Sequence, residues 1–381
     1  MPDSSTSVTS ESWISRLVGS IVGVLVGILM ILGSFPVLFW NEGRAVRTAK
    51  SLQEGAAEVV SVAPDQVVAA NEGRLVYTTG QATTSESLTD ADFGVTTPAI
   101  RLVRKAEMYQ WKEDRQSETR KKLGGGTETV TTYTYKNEWS PTVITSTGFH
   151  EAQGHQNPDS LPIPGASWTA KAVTLGAFTL SAAQVAKLDQ TEAVRADANP
   201  SPTLPANVKF DQGGYYRGAD PGTPVVGDER ITFEAVRPAA ISVIGRQVGT
   251  TFEPDQTTAV PILLVTYGTV SADGMFKVAE ASNRTLTWIL RGAGFVAMLI
   301  GFALVFRPLV TVADVVPLIG TILGVGTFLA AFSLAIGLSL VTIGVAWVVY
   351  RPVLGIALLV VAIGSVVAAY RMGAGKKGVK A

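Results

Sequence analysis

Residues 17–40, LVGSIVGVLVGILMILGSFPVLFW, form a run of 24 residues without a charge. As a helix rising 1.5 Å per residue the run reaches about 36 Å, enough to cross a hydrocarbon core of about 30 Å. No other feature constrains the fold as tightly, because a backbone in lipid must satisfy its hydrogen bonds within itself. Trp13 and Trp40 bracket the run as interfacial aromatics. A cleaved signal peptide carries a shorter apolar core, roughly 7–15 residues, followed by small residues. This run is longer and ends in Pro-Val-Leu-Phe-Trp, so it reads as an uncleaved anchor.

The last third repeats the pattern. Residues 288–306 make a second apolar run, with Arg291 near its start. Residues 315–350 are 36 uncharged residues, too long for one upright span and short for two. Pro317 and the glycines at 320, 324 and 326 point to an interfacial or re-entrant entry, and Arg351-Pro352 ends the helix. The expected layout is a tail (1–16), a first span (17–40), a soluble domain (41–285), a second span (286–307), an interfacial or re-entrant segment (308–323), a third span (324–350), a fourth span (353–370) and a basic tail (371–381). Five spans is the alternative. Arg371, Lys376, Lys377 and Lys380 favour a cytoplasmic C-terminus, which places the N-terminus on the same side and residues 41–285 on the other. Arg44, Arg47 and Lys50 oppose that orientation, but long domains translocate largely regardless of charge.

The middle segment reads as mainly β. Eight of the 31 Lys/Arg and three of the 31 Asp/Glu lie outside 41–285, which leaves this segment with five negative charges in excess. Residues 129–135 (TVTTYTY) alternate as a half-buried strand does, and Gly124-Gly-Gly precedes them. A hairpin with residues 108–112 follows from that pattern. Further strands are expected at 75–79, 100–103, 230–235, 240–245 and 260–267, with a Pro-rich connector at 199–205. Ser181-Ala-Ala-Gln184 has the capping-box form and opens a helix to about Leu188, and Ser271 caps a helix leading to the second span. The fold class is thus an α+β membrane protein with about four transmembrane helices and a β-rich extramembrane domain. Degenerate internal repeats are a further expectation. Asn41-Glu-Gly-Arg44 recurs as Asn71-Glu-Gly-Arg74, and the stretches from Leu175 and Tyr267 both read as strand, turn and Ser-capped helix.

Composition removes several chemistries. Equal numbers of basic and acidic residues, 31 each, give no drive for nucleic-acid binding. With no Cys there are no disulfides, thiolate metal sites or thiol nucleophiles, and only two His are present. Those two occur in His150-Glu-Ala-Gln-Gly-His155, which mimics a zinc-protease motif but spaces the imidazoles five apart. A helix places them about 140° off one face, so they read as polar loop residues. Gly373-Ala-Gly-Lys376-Lys377-Gly lacks the phosphate-loop form and reads as a lipid-facing tail. The Asn-Glu-Gly-Arg copies read as turns. In Glu107-Met-Tyr-Gln-Trp111, Tyr109 and Trp111 share a strand face and read as core. Arg291 and Asp314 sit near span ends, where they can snorkel. No catalytic, cofactor-binding or metal-binding set emerges. Gly19, Gly23 and Gly27, with Gly320 and Gly324, have the small-xxx-small spacing of helix packing and oligomerisation. Arg44, Arg284, Arg291, Lys376 and Lys377 are the candidates for gripping lipid headgroups.

Eight stretches resemble the transmembrane protein 43 (LUMA) family: FWNEGRAVRTAKSL (39–52), APDQVVAANEGRLVYTTG (63–80), DFGVTTPAIRLVRKAEMYQW (92–111), YTYKNEW (133–139), GHQNP (154–158), VVGDERITF (225–233), NRTLTWILRGAGFVAMLIGFALV (283–305) and AWVVYRP (346–352). The residues around His150 depart from the family pattern. The resemblance implies four spans and a large lumenal or, in a bacterium, periplasmic domain between the first two. It also implies self-association and the organising of partner proteins, with no established catalytic residues. The lack of Cys and the Ala/Gly/Val-rich spans fit a bacterial member in the inner membrane; a eukaryotic member would sit in the endoplasmic reticulum or nuclear envelope. The expected function is a non-enzymatic membrane scaffold without cofactors. It would form homo-oligomers and contact membrane lipids and other membrane proteins, but no nucleic acid. The alternatives are a lipid-binding protein or membrane-bound enzyme acting where domain and bilayer meet, and an oligomeric pore.

Overall fold

A computed structural model describes residues 4–197, 204–357 and 360. In chain order the elements begin with β1 (Ser4–Glu11), α1 (Trp13–Glu58), β2 (Val60–Ser61), a 3-10 turn (Ala69–Asn71), β3 (Leu75–Thr83), β4 (Ser87–Asp90) and β5 (Val95–Pro98). There follow β6 (Arg101–Lys121), β7 (Thr127–Ser140), β8 (Ala166–Thr169), β9 (Thr174–Leu175), β10 (Phe178–Thr179), α2 (Ala182–Val185) and β11 (Glu192–Val194). The chain continues with β12 (Val208–Asp211), β13 (Gly214–Arg217), β14 (Glu229–Val236), β15 (Ala239–Val248), β16 (Thr251–Glu253), β17 (Leu264–Tyr267), α3 (Ala272–Ala313) and α4 (Pro317–Tyr350).

Two compact units result. Of the described residues, one holds those within 4–8, 54–118 and 130–276; the other holds those within 9–53 and 119–129 and those from 277 to 357 and at 360. This division differs from the expected 41–285 domain. Residues 41–53 continue α1, and residues 119–129 belong with the helices.

Among the described residues the first unit is built on two large sheets, with β4 and β5 forming a separate two-stranded pair. One runs β1-β7-β6-β14-β13-β12 with β8 and β11 at its margins; the other runs β10-β9-β3-β15-β16 with β2 and β17 attached. Their central pairs are antiparallel: β6 with β14 in the register Met108–Glu229 to Arg101–Val236, and β3 with β15 from Ala82–Ala239 to Leu75–Arg246. Alternation selects the inner face, as in β14, where Ile231 and Phe233 are buried while Arg230 and Thr232 are exposed. Val76, Leu102, Phe178, Ile231, Phe233, Ile241 and Phe252 join one core shared by both sheets. Every strand expected from the sequence lies at least partly in a β element, although 260–267 is extended as a named strand only from Leu264.

Local signals set several boundaries in this unit. The Ser181 N–H donates to Gln184 Oε1 at 2.6 Å, closing the predicted box at the start of α2, which is a single turn. Ser271 Oγ accepts from the Gly274 N–H at 3.2 Å and starts α3. The expectation for Tyr109 and Trp111 is reversed. Met108 and Gln110 face inward, because β6 buries Leu102, Arg104, Ala106, Met108 and Gln110 in strict alternation. Gln110 is satisfied there: its Nε2–H donates to Thr142 O at 2.9 Å and its Oε1 accepts from the Ile144 N–H at 2.7 Å. Tyr109 instead packs on Trp139, with ring centroids 5.1 Å apart.

The second unit contains the long helices. Among the described residues three, α1, α3 and α4, are long and apolar enough to cross a membrane. The expected segment 308–323 is not a separate element. Residues 308–313 finish α3, and after a short break Pro317 opens α4 at a position where its missing N–H costs nothing. α4 ends at Tyr350, before Arg351-Pro352, and residues 352–357 are helical again. Most of the expected fourth span and all of the basic tail lie outside the described residues.

Candidate functional site

The first Asn-Glu-Gly-Arg is not a turn. It lies inside α1, which runs 46 residues without a break and passes well beyond Trp40. Each of its four side positions is used to join α1 to α3 and α4. Asn41 Nδ2–H donates to Thr287 O at 3.1 Å. The carboxylate of Glu42 is fully buried and receives Arg291 through both Nε–H (2.6 Å) and Nη2–H (2.8 Å), with Trp347 Nε1–H as a third donor at 2.8 Å. The Arg291 guanidinium lies over Trp288 at 4.7 Å and near the Trp347 ring at 5.7 Å. A Cβ on Gly43 would sit 2.6 Å from Tyr350 Cζ, so only glycine lets that ring approach. Arg44 donates to Asn283 Oδ1 at 2.8 Å, Thr287 Oγ1 at 2.9 Å and Asn41 Oδ1 at 3.2 Å.

Arg291 therefore does not snorkel to water; a bidentate, charge-assisted pair holds it. Arg44 and Arg291, expected at lipid headgroups, are committed inside the helix cluster. Sequence reasoning missed Asn283, Thr287 and Trp347. The one signal available was that three of the family-resembling stretches, 39–52, 283–305 and 346–352, supply every member of this cluster.

The same unit carries a second buried acid at the other end of the apolar stretch of α1. Asp314 is fully buried and pairs with Arg16 at 2.5 Å and Lys121 at 2.6 Å. Arg16 also donates to the Gly125 carbonyl, and Trp13 Nε1–H donates to Thr311 O at 2.8 Å. Gly125, at φ +81°, lies too close to the Trp13 ring to carry a side chain. The Gly-rich turn expected between the strands is present, with the Lys122 N–H donating to Gly126 O at 2.8 Å. Its tip meets the helices because one carboxylate gathers cations from both. The sequence reading puts Arg16 and Lys121 on opposite sides of the first span; here both hold Asp314.

The glycine candidates divide. Gly27 packs directly on α3: a Cβ there would be 2.6 Å from Gly301 O, and one on Gly301 would be 2.7 Å from Gly27 O. Gly23 touches Leu304 at ordinary distance, and Gly19 has nothing within 4 Å. Gly320 on α4 closes on Asp314 in the break before that helix, and Gly324 meets Val310 at 3.7 Å. The close approach of α1 to α3 thus joins helices of one chain through Gly301, which was not among the glycine candidates.

A cleft of about 500 Å³ opens beside the Glu42 cluster, lined by Gln53, Glu280, Arg284, Trp288, Trp347 and Arg351 among others. Arg284, the remaining described headgroup candidate, lines this cleft. Lys376 and Lys377 lie outside the described residues. The two histidines stand in the β-rich unit, and their rings stack on tyrosines: His150 on Tyr133 at 4.1 Å and His155 on Tyr135 at 3.9 Å. The second Asn-Glu-Gly-Arg is a turn, with Gly73 at φ +76°. The two copies have unrelated local folds, which overturns their reading as a duplication. The stretches from Leu175 and Tyr267 do share a left-handed glycine, Gly176 and Gly268, ahead of a serine that begins a helix.

No solved structure matches the chain. The family model for transmembrane protein 43 matches residues 108–352. Transmembrane protein 43 of Mus musculus is 36% identical over 91% of this chain and 89% of its own length. The Homo sapiens protein is 35% identical over 90% and 88%, and the Drosophila melanogaster homolog is 31% identical over 88% and 90%. A match of this extent, joined to membrane-length helices and a β-rich unit, makes the chain an integral membrane protein that belongs to the transmembrane protein 43 family.

Proposed function

We propose that the protein is a non-enzymatic membrane scaffold that associates with itself and organises a membrane patch or partner proteins. The observation that supports this reading is how the second unit spends its buried acids. Glu42 receives three donors and Asp314 two cations, so both carboxylates fasten elements together. A group that moves protons needs a free lone pair facing a substrate. Glycines with open space beside them, including Gly19 on α1 and Gly326, Gly337 and Gly344 on α4, leave faces where a second copy can approach closely. Within this reading the protein works in a bacterial inner membrane, or in the endoplasmic reticulum or nuclear envelope of a eukaryotic cell, surrounded by lipids and other membrane proteins. The test is the particle mass of the full chain in mild detergent and in nanodiscs. A discrete multimer in both is expected. A monomer in both would overturn the scaffold reading.

A further inference from the structure

The cleft beside the Glu42 cluster contains two cations that make no side-chain hydrogen bond to the helix cluster, although the Arg351 charge acts on Glu42 at longer range. Arg284 lies one turn before Trp288 on α3, and Arg351 directly follows the end of α4. Both side chains are exposed, and among the described residues neither forms an ion pair or a side-chain hydrogen bond. Arg291, which also lines the cleft, is neutralised by Glu42. One carboxylate, Glu280, faces the same space, so the cleft keeps a positive excess. The surrounding chemistry is that of a membrane interface. The uncharged run of α1 ends at Trp40, that of α4 ends at Tyr350, and Trp288 and Trp347 line the opening.

We infer that this cleft binds a phosphate-bearing anion, supplied by the headgroup of an anionic phospholipid. Guanidinium forks match phosphate oxygens in bidentate fashion, and two forks without a hydrogen-bond partner, one on α3 and one just past the end of α4, can hold one phosphate from two sides. The indole rings belong at the depth where headgroup meets acyl chain. A volume of about 500 Å³ accommodates a headgroup. This inference is independent of the scaffold reading, since a monomer or a multimer could carry the site.

The experiment is thermal unfolding of the full chain in detergent, titrated with short-chain phosphatidylglycerol, phosphatidylcholine or inorganic phosphate. The R284A/R351A and R284K/R351K variants are run alongside. Phosphatidylglycerol is expected to stabilise the parent saturably while phosphatidylcholine does not. The double alanine variant should weaken that response about ten-fold or more, and the double lysine variant, which keeps the charge but loses the fork, should fall between the parent and the alanine variant. Equal responses to the two lipids, or an alanine variant that responds like the parent, would overturn the site. Saturation by inorganic phosphate alone, with the same arginine dependence, would overturn the lipid source and assign a free phosphate instead. Should the double alanine variant fail to fold, R284A and R351A are titrated singly against the same criterion.

Discussion

Asn-Glu-Gly-Arg occurs at residues 41–44 and again at 71–74, and the two copies do opposite things. In the first, Asn41, Glu42 and Gly43 are buried inside a continuous helix, and every side chain is committed to α3 or α4. In the second, Gly73 takes φ +76°, Glu72 and Arg74 are exposed, and among the described residues the Glu72 carboxylate receives only the Gly249 N–H, at 3.0 and 3.2 Å. The difference teaches that a glycine can serve two unrelated needs. At Gly43 the missing side chain makes room for a tyrosine ring, whereas at Gly73 it permits a left-handed backbone. It also shows that a Glu–Arg pair close in sequence need not pair in space. Glu42 pairs with Arg291, and Arg44 with neutral oxygens.

The two copies differ most in energy at their acids. Glu42→Ala strands Arg291 between two indoles and is expected to cost about 3–5 kcal/mol. Glu72→Ala should stay within about 1 kcal/mol. Unfolding midpoints of both variants in one detergent decide the matter, and equal losses would show that the two acids do not differ in structural role.

The arginines come next. Arg44→Ala removes three charged-donor hydrogen bonds and leaves Asn41, Asn283 and Thr287 short of a partner, with an expected loss of about 1.5–3 kcal/mol. Arg74→Ala should be close to silent, about 0.5 kcal/mol or less.

The glycines give a smaller but more discriminating effect. Gly43→Ala overpacks against Tyr350 by about 1–3 kcal/mol, partly offset by the better helix propensity of alanine. Shrinking the ring in a Gly43→Ala/Tyr350→Ala double variant should relieve the clash, giving a non-additive cycle. Gly73→Ala costs about 1–2 kcal/mol for a different reason, the left-handed backbone, so Gly73→Asn should be better tolerated. Rescue of Gly73→Ala by a distant side-chain truncation would contradict that account.

A buried acid of the β-rich unit sharpens the contrast through pH. Burial pushes the Glu113 carboxyl up, but the donors it receives outweigh that: the His150 N–H at 2.5 Å, Arg115 at 2.6 Å and Tyr135 at 2.8 Å hold it below the ordinary glutamate range. The unfolded chain then binds more protons than the folded one as the pH falls through that range. The contribution of Glu113 is present above the ordinary value and disappears below it. Glu113→Gln should flatten the acid limb of the stability curve of this unit, a small effect read by circular dichroism from pH 6 down to about 3.

Some of this was written in short stretches of chain. The charge-free runs dictated membrane-length helices because their length and transfer energy require it. Ser181 with Gln184, Ser271, and the glycines at 124–126 marked helix starts and a strand turn, because caps and turns are satisfied by near neighbours. The tertiary structure decided what depends on partners far along the chain. It turned Met108 and Gln110 inward in place of Tyr109 and Trp111. It carried α1 through the first Asn-Glu-Gly-Arg, gave Gly27 to Gly301, and brought Lys121 to Asp314. A buried charge takes whichever partner the packing delivers, and Glu42 lies 249 residues from Arg291 and 305 from Trp347. No local pattern reaches over such separations, so the same four letters could become a helix junction in one place and a surface turn in another.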